Sequence, residues 1–260
     1  MCIRDSNGSD LVRGLRGAVT RDVIISGGLA GDGARFAETR VGVGIQPAPG
    51  NVVAIGFYGD SLRIGNGSVG GWEAFGPERT ITRSVGNVLY ELDGLPALDL
   101  YKRYLGPEAE GLPGSALLYP LSLRRNGGAD VELVRTIVGV SEEERTMTFA
   151  GDVPVGGIAR LMRGSLARLV DGAEKAAEDA NAQHGPTAGP GLALLVSCIG
   201  RKLLMGQRAS DEIEAVCDTL GQGFHVTGFY SYGELSPHAD TGACELHNQT
   251  MTITTMSEAA

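Results

Sequence analysis

The sequence predicts an α/β protein of the mixed, α+β kind: two related mixed-sheet lobes with flanking helices. Two patterns predict it. Short apolar runs of strand length recur along the chain, and they are separated by segments whose apolar residues follow helical spacing. In addition, the 40 glycines among 260 residues are dispersed rather than periodic. That pattern suits many tight turns and close backbone approaches, and excludes collagen or a flexible linker.

In chain order, residues 11–17 read as the end of a helix. Residues 23–25, 36–44, 52–58 and 61–64 read as strands, the last two joined by a Gly59-Asp60 hairpin turn. Residues 65–76 read as a glycine-rich loop around Trp72, the single tryptophan. Residues 81–90 are mixed. Residues 97–104 have helical spacing, with Leu98, Tyr101 and Leu105 on one face. Strands follow at 116–123, 131–140 and 146–150. The strongest helical pattern spans 158–180, through Ile158, Leu161, Met162, Leu166, Leu169, Val170 and Ala173. Residues 192–197 read as a buried strand. Ser210 is placed to cap a helix running to Leu220, and strands at 224–229 and 244–256 close the sheet.

Composition narrows the function. A net charge of −9 argues against a nucleic-acid backbone or an anionic membrane as partner. No apolar run reaches the roughly 18 residues of a membrane span. Cys2, Cys198, Cys217 and Cys244 form no CxxC pair, which favours reduced thiols and a cytoplasmic setting. The opening Met-Cys-Ile-Arg-Asp-Ser6 fits no targeting pattern, and residues 1–10 read as a lead outside the domains.

Chemistry concentrates near the end of the chain. Gly228-Phe-Tyr-Ser-Tyr-Gly-Glu234 and Cys244-Glu-Leu-His-Asn-Gln-Thr250 place tyrosines, a carboxylate, a thiol, an imidazole and amides beside apolar strand patterns. An earlier stretch, Ser26-Gly-Gly-Leu-Ala-Gly-Asp32 with Thr39 beyond it, echoes this arrangement. The echo suggests two facing walls of one pocket. It also implies that the front half lacks a counterpart of residues 192–201, as if truncated there.

Several separated motifs, in order, resemble the FIST family. The N-terminal FIST half is represented by Gly27-Gly-Leu-Ala-Gly-Asp-Gly33, Phe36, Thr39, Gly71-Trp72, Thr80-Ile-Thr82, Gly86-Asn87, Tyr90-Glu-Leu-Asp-Gly-Leu-Pro-Ala97, Tyr101 and Tyr104-Leu-Gly106. The C-terminal half is represented by Ser197-Cys198, Gly200-Arg201, Gly228-Phe-Tyr-Ser-Tyr-Gly-Glu234, Pro237 and Leu246-His-Asn-Gln-Thr250. Gly70 departs from the pattern, because family members often carry histidine there. The resemblance implies a partial N-terminal region over 11–111 and a C-terminal region over 112–260. It implies a bacterial sensory input module for a small ligand, with amino acids as proposed ligands and some members similar to haem-based nitric oxide sensors. Because the sequence stops soon after its last strand, signalling is expected to use a separate protein such as a histidine kinase.

The expected ligand-binding residues are Ser197, Cys198, Arg201, Tyr230, Tyr232, Gly233, Glu234, His247, Asn248, Gln249 and Thr250, with Gly28, Ala30, Gly31, Asp32 and Thr39 on the facing wall. Strand alternation puts Glu245, His247 and Gln249 on one face and Cys244, Leu246, Asn248 and Thr250 on the other. Buried amides and imidazoles need partners, so these bond either a ligand or neighbouring loops. Arg201 either clamps a ligand carboxylate or pairs with Glu234; Glu234 could instead hold a ligand ammonium, and the two together suit a zwitterion. Tyr230 and Tyr232, two apart, share a side and either line the pocket or pack in the core. No metal site and no catalytic residue is expected. The thiol-enzyme alternative pairs Cys198 or Cys244 with His247 and has no organising motif. The haem alternative needs an axial ligand from His184, His225, His238 or His247, none of them marked as proximal. Gly31-Asp32-Gly33 is followed by no complete phosphate-loop pattern.

Overall fold

The computed structural model describes residues 7–20, 22–33, 35, 37–44, 46–125, 132–183, 189–239 and 241–260. The opening hexapeptide, Phe36 and His184 lie outside them. Mixed α and β content is as the sequence predicts. Each of three sheets takes strands from both halves of the chain, so the lobes are spatial groupings, not stretches of sequence.

The first sheet has four strands in the order β13 (Phe224–Ser231), β12 (Gly191–Cys198), β16 (Met251–Glu258) and β2 (Leu62–Val69). Only the β12–β13 pair is parallel. Two helices, α3 (Leu166–Ala182) and α5 (Ala209–Leu220), pack on this sheet. Their core joins Ala173, Ala176, Ala177 and Ala180 to Leu195, Val216, Met251 and Ile253. The alanines let α3 approach to backbone contact. A Cβ on Gly65 would lie 1.9 Å from the Ala180 carbonyl oxygen, and one on Gly67 1.9 Å from that of Ala176. These glycines therefore form a strand pressed under a helix, and the loop expected over 65–76 is corrected to β2 followed by β3 (Trp72–Ala74).

The second sheet runs β8 (Glu132–Arg135), β7 (Leu121–Arg124), β11 (Ile158–Gly164), β4 (Arg79–Val85), β5 (Val88–Leu92), β10 (Thr146–Phe149) and β9 (Ile137–Ser141). In addition, β3 pairs with β11, and β6 (Leu95–Pro96) pairs with β5. The helix α2 (Ala97–Leu105) covers one face, burying Leu98 and Tyr101 against Ile81, Leu89, Met147 and Phe149. It stops at Gly106, whose φ of 58° lets its N–H reach the Lys102 carbonyl.

The third sheet is small: β1 (Gly27–Gly28), β14 (Glu234–Pro237) and β15 (Cys244–His247). The amphipathic helix α1 (Gly8–Ala18) covers it with Val12, against Leu235, Cys244 and Leu246. A fifth helix, α4 (Ile199–Met205), follows β12 directly.

Several sequence expectations need correction. Residues 158–164 form a strand, and the helix starts only after Ser165, whose hydroxyl accepts from the Arg168 N–H at 3.4 Å. Ala159 and Leu161 face the core with period two, a pattern that the 3–4 spacing of the longer run concealed. Residues 116–118 belong to a 3-10 turn, leaving a strand only from Leu121. Helix α5 begins at Ala209, inside which Ser210 cannot act as the cap. Residues 23–25, 37–44 and 52–58 form no strand; only a single bridge joins Val41 to Ala48. Val23, Ile55 and Tyr58 are exposed there. Apolar β-formers need a ladder neighbour to become a strand, and among the described residues these make no ladder beyond that bridge.

Candidate functional site

The two glycine-rich stretches meet. Gly27 and Gly28 pair with Leu235 and Glu234, the Leu29 N–H donates to Gly233 at 2.8 Å, and the Tyr232 N–H donates to Leu29 at 3.1 Å. A Cβ on Gly28 would lie 2.5 Å from Val196, so glycine alone fits this crossing. Tyr232 closes the contact. Its hydroxyl donates to the Asp32 carboxylate and lies 2.6 Å from the Gly33 carbonyl. The hydrogen bond from Tyr232 holds the Asp32 carboxyl down to about 2. Asp32 also accepts from the N–H groups of Ala37 and Glu38, at 3.0 and 3.1 Å. Gly31 lies along the Tyr232 ring. Ala30 and Thr39 are half-buried.

Arg201 does not pair with Glu234. Its side chain is wholly buried and bonds Glu212 through Nε at 3.0 Å and Nη2 at 2.9 Å. Nη1 donates to the Gly70 carbonyl at 2.5 Å, and Nη2 also to that of Leu169 at 2.7 Å. Glu212 further accepts from Ser197 at 3.0 Å and from Tyr230 at 3.2 Å. Ser197, Arg201 and Tyr230 thus belong to one internal network centred on Glu212, which the sequence presents only as an acidic residue in a helix's first turn. Tyr230 and Tyr232 part company: the first turns toward α4 and α5, where Lys202 lies 4.6 Å from its ring centre, and the second toward Asp32. Alternation fails because β13 ends at Ser231.

Glu234 is also fully buried. It accepts from the Ser231 hydroxyl and, at 3.0 and 3.3 Å, from the hydroxyl and N–H of Thr250. Burial pushes its carboxyl up to about 8, against which those bonds and the charge of Arg201 act only in part. Cys198 lies in the same field. Burial first, and the Glu234 charge second, push its thiol far above the ordinary range.

The turn between β15 and β16 divides the strand expected over 244–256. Gln249 adopts φ of 65°, a left-handed conformation uncommon outside glycine, so the side-chain alternation is broken there. Three bonds hold it. The Trp72 indole N–H donates to the Gln249 carbonyl at 2.7 Å, and the Gln249 Nε2 donates to the Leu117 carbonyl at 3.0 Å. The Thr250 carbonyl accepts from the Cys198 N–H at 3.0 Å. Gly200 makes room, since a Cβ there would fall 2.5 Å from the Gln249 amide. A Cβ on Gly70 already lies 2.8 Å from Trp72, which leaves a histidine at this position no space in this arrangement.

Three buried polar atoms here have no partner among the described residues: Thr136 Oγ1, Asn248 Nδ2 and Gln249 Oε1. The Asn248 Oδ1 accepts from the Thr136 N–H at 3.4 Å, which fixes the way its amide is turned. Asn248 Nδ2 is left as a donor without an acceptor, and Gln249 Oε1 as an acceptor without a donor. Thr136 was outside the sequence expectation; a polar residue between two strand patterns gave little signal.

His247 places Nε2 at 3.2 Å from the Ser236 carbonyl and stacks on His238 with ring centres 6.0 Å apart. Burial lowers its imidazole to about 4. An axial haem ligand directs a ring nitrogen at open space, whereas Ser236 stands at this one. Burial pushes the Cys244 thiol up to about 11. No group of three potential metal ligands occurs among the described residues. A cavity of about 280 Å³ lies on the far side of the second sheet, lined by Tyr90, Pro113, Val138, Ser141, Thr146 and Thr148 among others, and contains none of the expected site residues.

Comparison with known families fits this geometry. A model of the FIST N domain matches residues 3–95, and one of the FIST C domain matches residues 97–237. No curated protein and no solved structure matches the chain. With more than half its length matched by the C domain alone, the chain belongs to the FIST family, whose domains are small-ligand sensory modules of signal transduction.

Proposed function

We propose that this protein senses a small zwitterion, such as an amino acid, at the turn formed by Asn248 and Gln249 beside Thr136. One observation carries the reading: adjacent residues hold a buried donor and a buried acceptor, each without a partner among the described residues. Leaving such groups unsatisfied costs about 1–3 kcal/mol each, so a ligand supplying both complements gains unusually much from them. Gln249's left-handed backbone fits a site maintained against local strain. Behind the turn, Glu234 is occupied by its bonds from Ser231 and Thr250. A non-catalytic role is supported by the raised Cys198 and Cys244 thiols and the lowered His247 imidazole, the reverse of an activated pair. A cytoplasmic setting suits the free thiols Cys198, Cys217 and Cys244, and no helix among the described residues is long and apolar enough to cross a membrane. Output would pass to a separate signalling protein.

A thermal-shift screen of the chain against the common amino acids tests the reading. At a concentration about 100 times its Kd, a true ligand adds about 2.7 kcal/mol and raises the Tm. The hit should weaken in Gln249→Leu, whose own Tm shows whether it folds. A screen in which no amino acid shifts the Tm would overturn the proposal.

A further inference from the structure

Arg135 ends β8 and is only 2% exposed. A buried cation ordinarily has a carboxylate against it. Arg135 has none among the described residues. Its Nη1 donates to the Leu246 carbonyl at 2.6 Å and its Nε to that of Asp152 at 3.5 Å. Glu245 and Asp152 act on it only through space, and desolvation lowers its guanidinium to about 10.

The groups around it are short of the same thing. Thr136 follows Arg135 directly, and its hydroxyl is buried without a partner. Asn248 lies two residues beyond the carbonyl that holds Arg135, accepts from the Thr136 N–H, and keeps its Nδ2 unpaired. All three residues are more than nine-tenths buried. A full positive charge, an amide donor and a hydroxyl able to donate thus belong to residues linked between the end of β8 and the β15–β16 turn, and no carboxylate among the described residues is bonded to any of the three groups. Water could satisfy the neutral groups but not the charge.

We propose that Arg135, Thr136 and Asn248 form an anion site that takes the carboxylate of a small organic acid. This deepens the proposed function, on which it rests for the location of the site. It assigns the cationic pole to Arg135, because Arg201 is already neutralised by Glu212. Carboxylate is favoured over ammonium because the charge and the unpaired amide at this end are both of the donor kind. The acceptor Gln249 Oε1 comes one residue later, where the other end of a zwitterion would need it.

Sodium formate and its neutral counterpart formamide separate the alternatives, with Tm of the full chain as the readout. Formate should raise the Tm in a saturable way and formamide should not. In Arg135→Met the formate response should disappear. In Asn248→Leu and Thr136→Val the apparent formate affinity should fall by about 10- to 100-fold, as expected for loss of a hydrogen bond to a charged group. Equal responses to formate and formamide would overturn the site, as would an undiminished formate response in the variants. If Arg135→Met does not fold, the other two variants decide. Amino-acid binding that persists unchanged in these variants removes the anion site and leaves the sensory reading standing. A formate response that the variants abolish, in a chain that binds no amino acid, keeps the anion site and removes the zwitterion reading.

Discussion

Two buried arginines live in opposite circumstances. Arg201 meets a carboxylate, two backbone carbonyls and, through Glu212, a serine and a tyrosine. Arg135 meets carbonyls alone. Burial by itself therefore does not reveal whether a charge is structural or awaits a ligand; what decides is whether its counter-charge is already in the fold. The arginine that the sequence singled out holds β12, α3, α4 and α5 together, while the one it passed over bonds carbonyls and feels Glu245 and Asp152 only through space.

This contrast can be broken by experiment. The largest effect belongs to Arg201→Met, which leaves Glu212 in the interior without its counter-charge; a loss of about 3–5 kcal/mol in urea-unfolding stability is expected. A loss below about 1 kcal/mol would mean that the network is not structural. Arg135→Met should change stability by only about 1 kcal/mol, because two carbonyls lose a donor while a desolvated cation disappears. A loss as large as that of Arg201→Met would erase the distinction between the two sites.

The last test concerns pH. Burial raises Glu234 from 4.5 to about 8, so the folded chain holds this proton more tightly than the unfolded one. Its contribution is complete below pH 4.5 and is lost as pH rises through about 8. Glu234→Gln, which cannot ionise, should remove that part of the decline, so that its Tm gains on wild type across this window. Parallel Tm profiles for the two proteins would show that Glu234 ionises in the fold as readily as in the open chain.

The legible parts of the fold were those with a local signature. Helix α2 was read nearly to the residue, because Leu98, Tyr101 and Leu105 mark one face and Gly106 ends it. The start of α3 was not, because Ile158, Leu161 and Met162 satisfy both a helical and a two-residue period, and only Ser165 marks the change. Within the proposed site, Asn248 and Gln249 carry a sequence signal, polarity beside apolar runs. Glu212 was not paired with Arg201, since eleven residues and a helix start separate them, and the pairing exists only in three dimensions. Arg135 did leave a trace: a lone cation within Val134-Arg135-Thr136-Ile137, a stretch otherwise composed of β-formers. Gln249's backbone conformation left none, because nothing in its neighbours requires a left-handed residue.

The interleaved sheets carry a consequence for how such a protein can be inherited and rearranged. The family regions meet between Leu95 and Ala97, yet β1, β2, β3, β4 and β5 from the first region are hydrogen-bonded to β14, β16, β11, β11 and β10 outside it. A gene fusion or fission at that junction would open five ladders together and leave β16 with a bare edge, an invitation to aggregate. Recombination that trades one half for another must therefore preserve five sets of strand pairings at once.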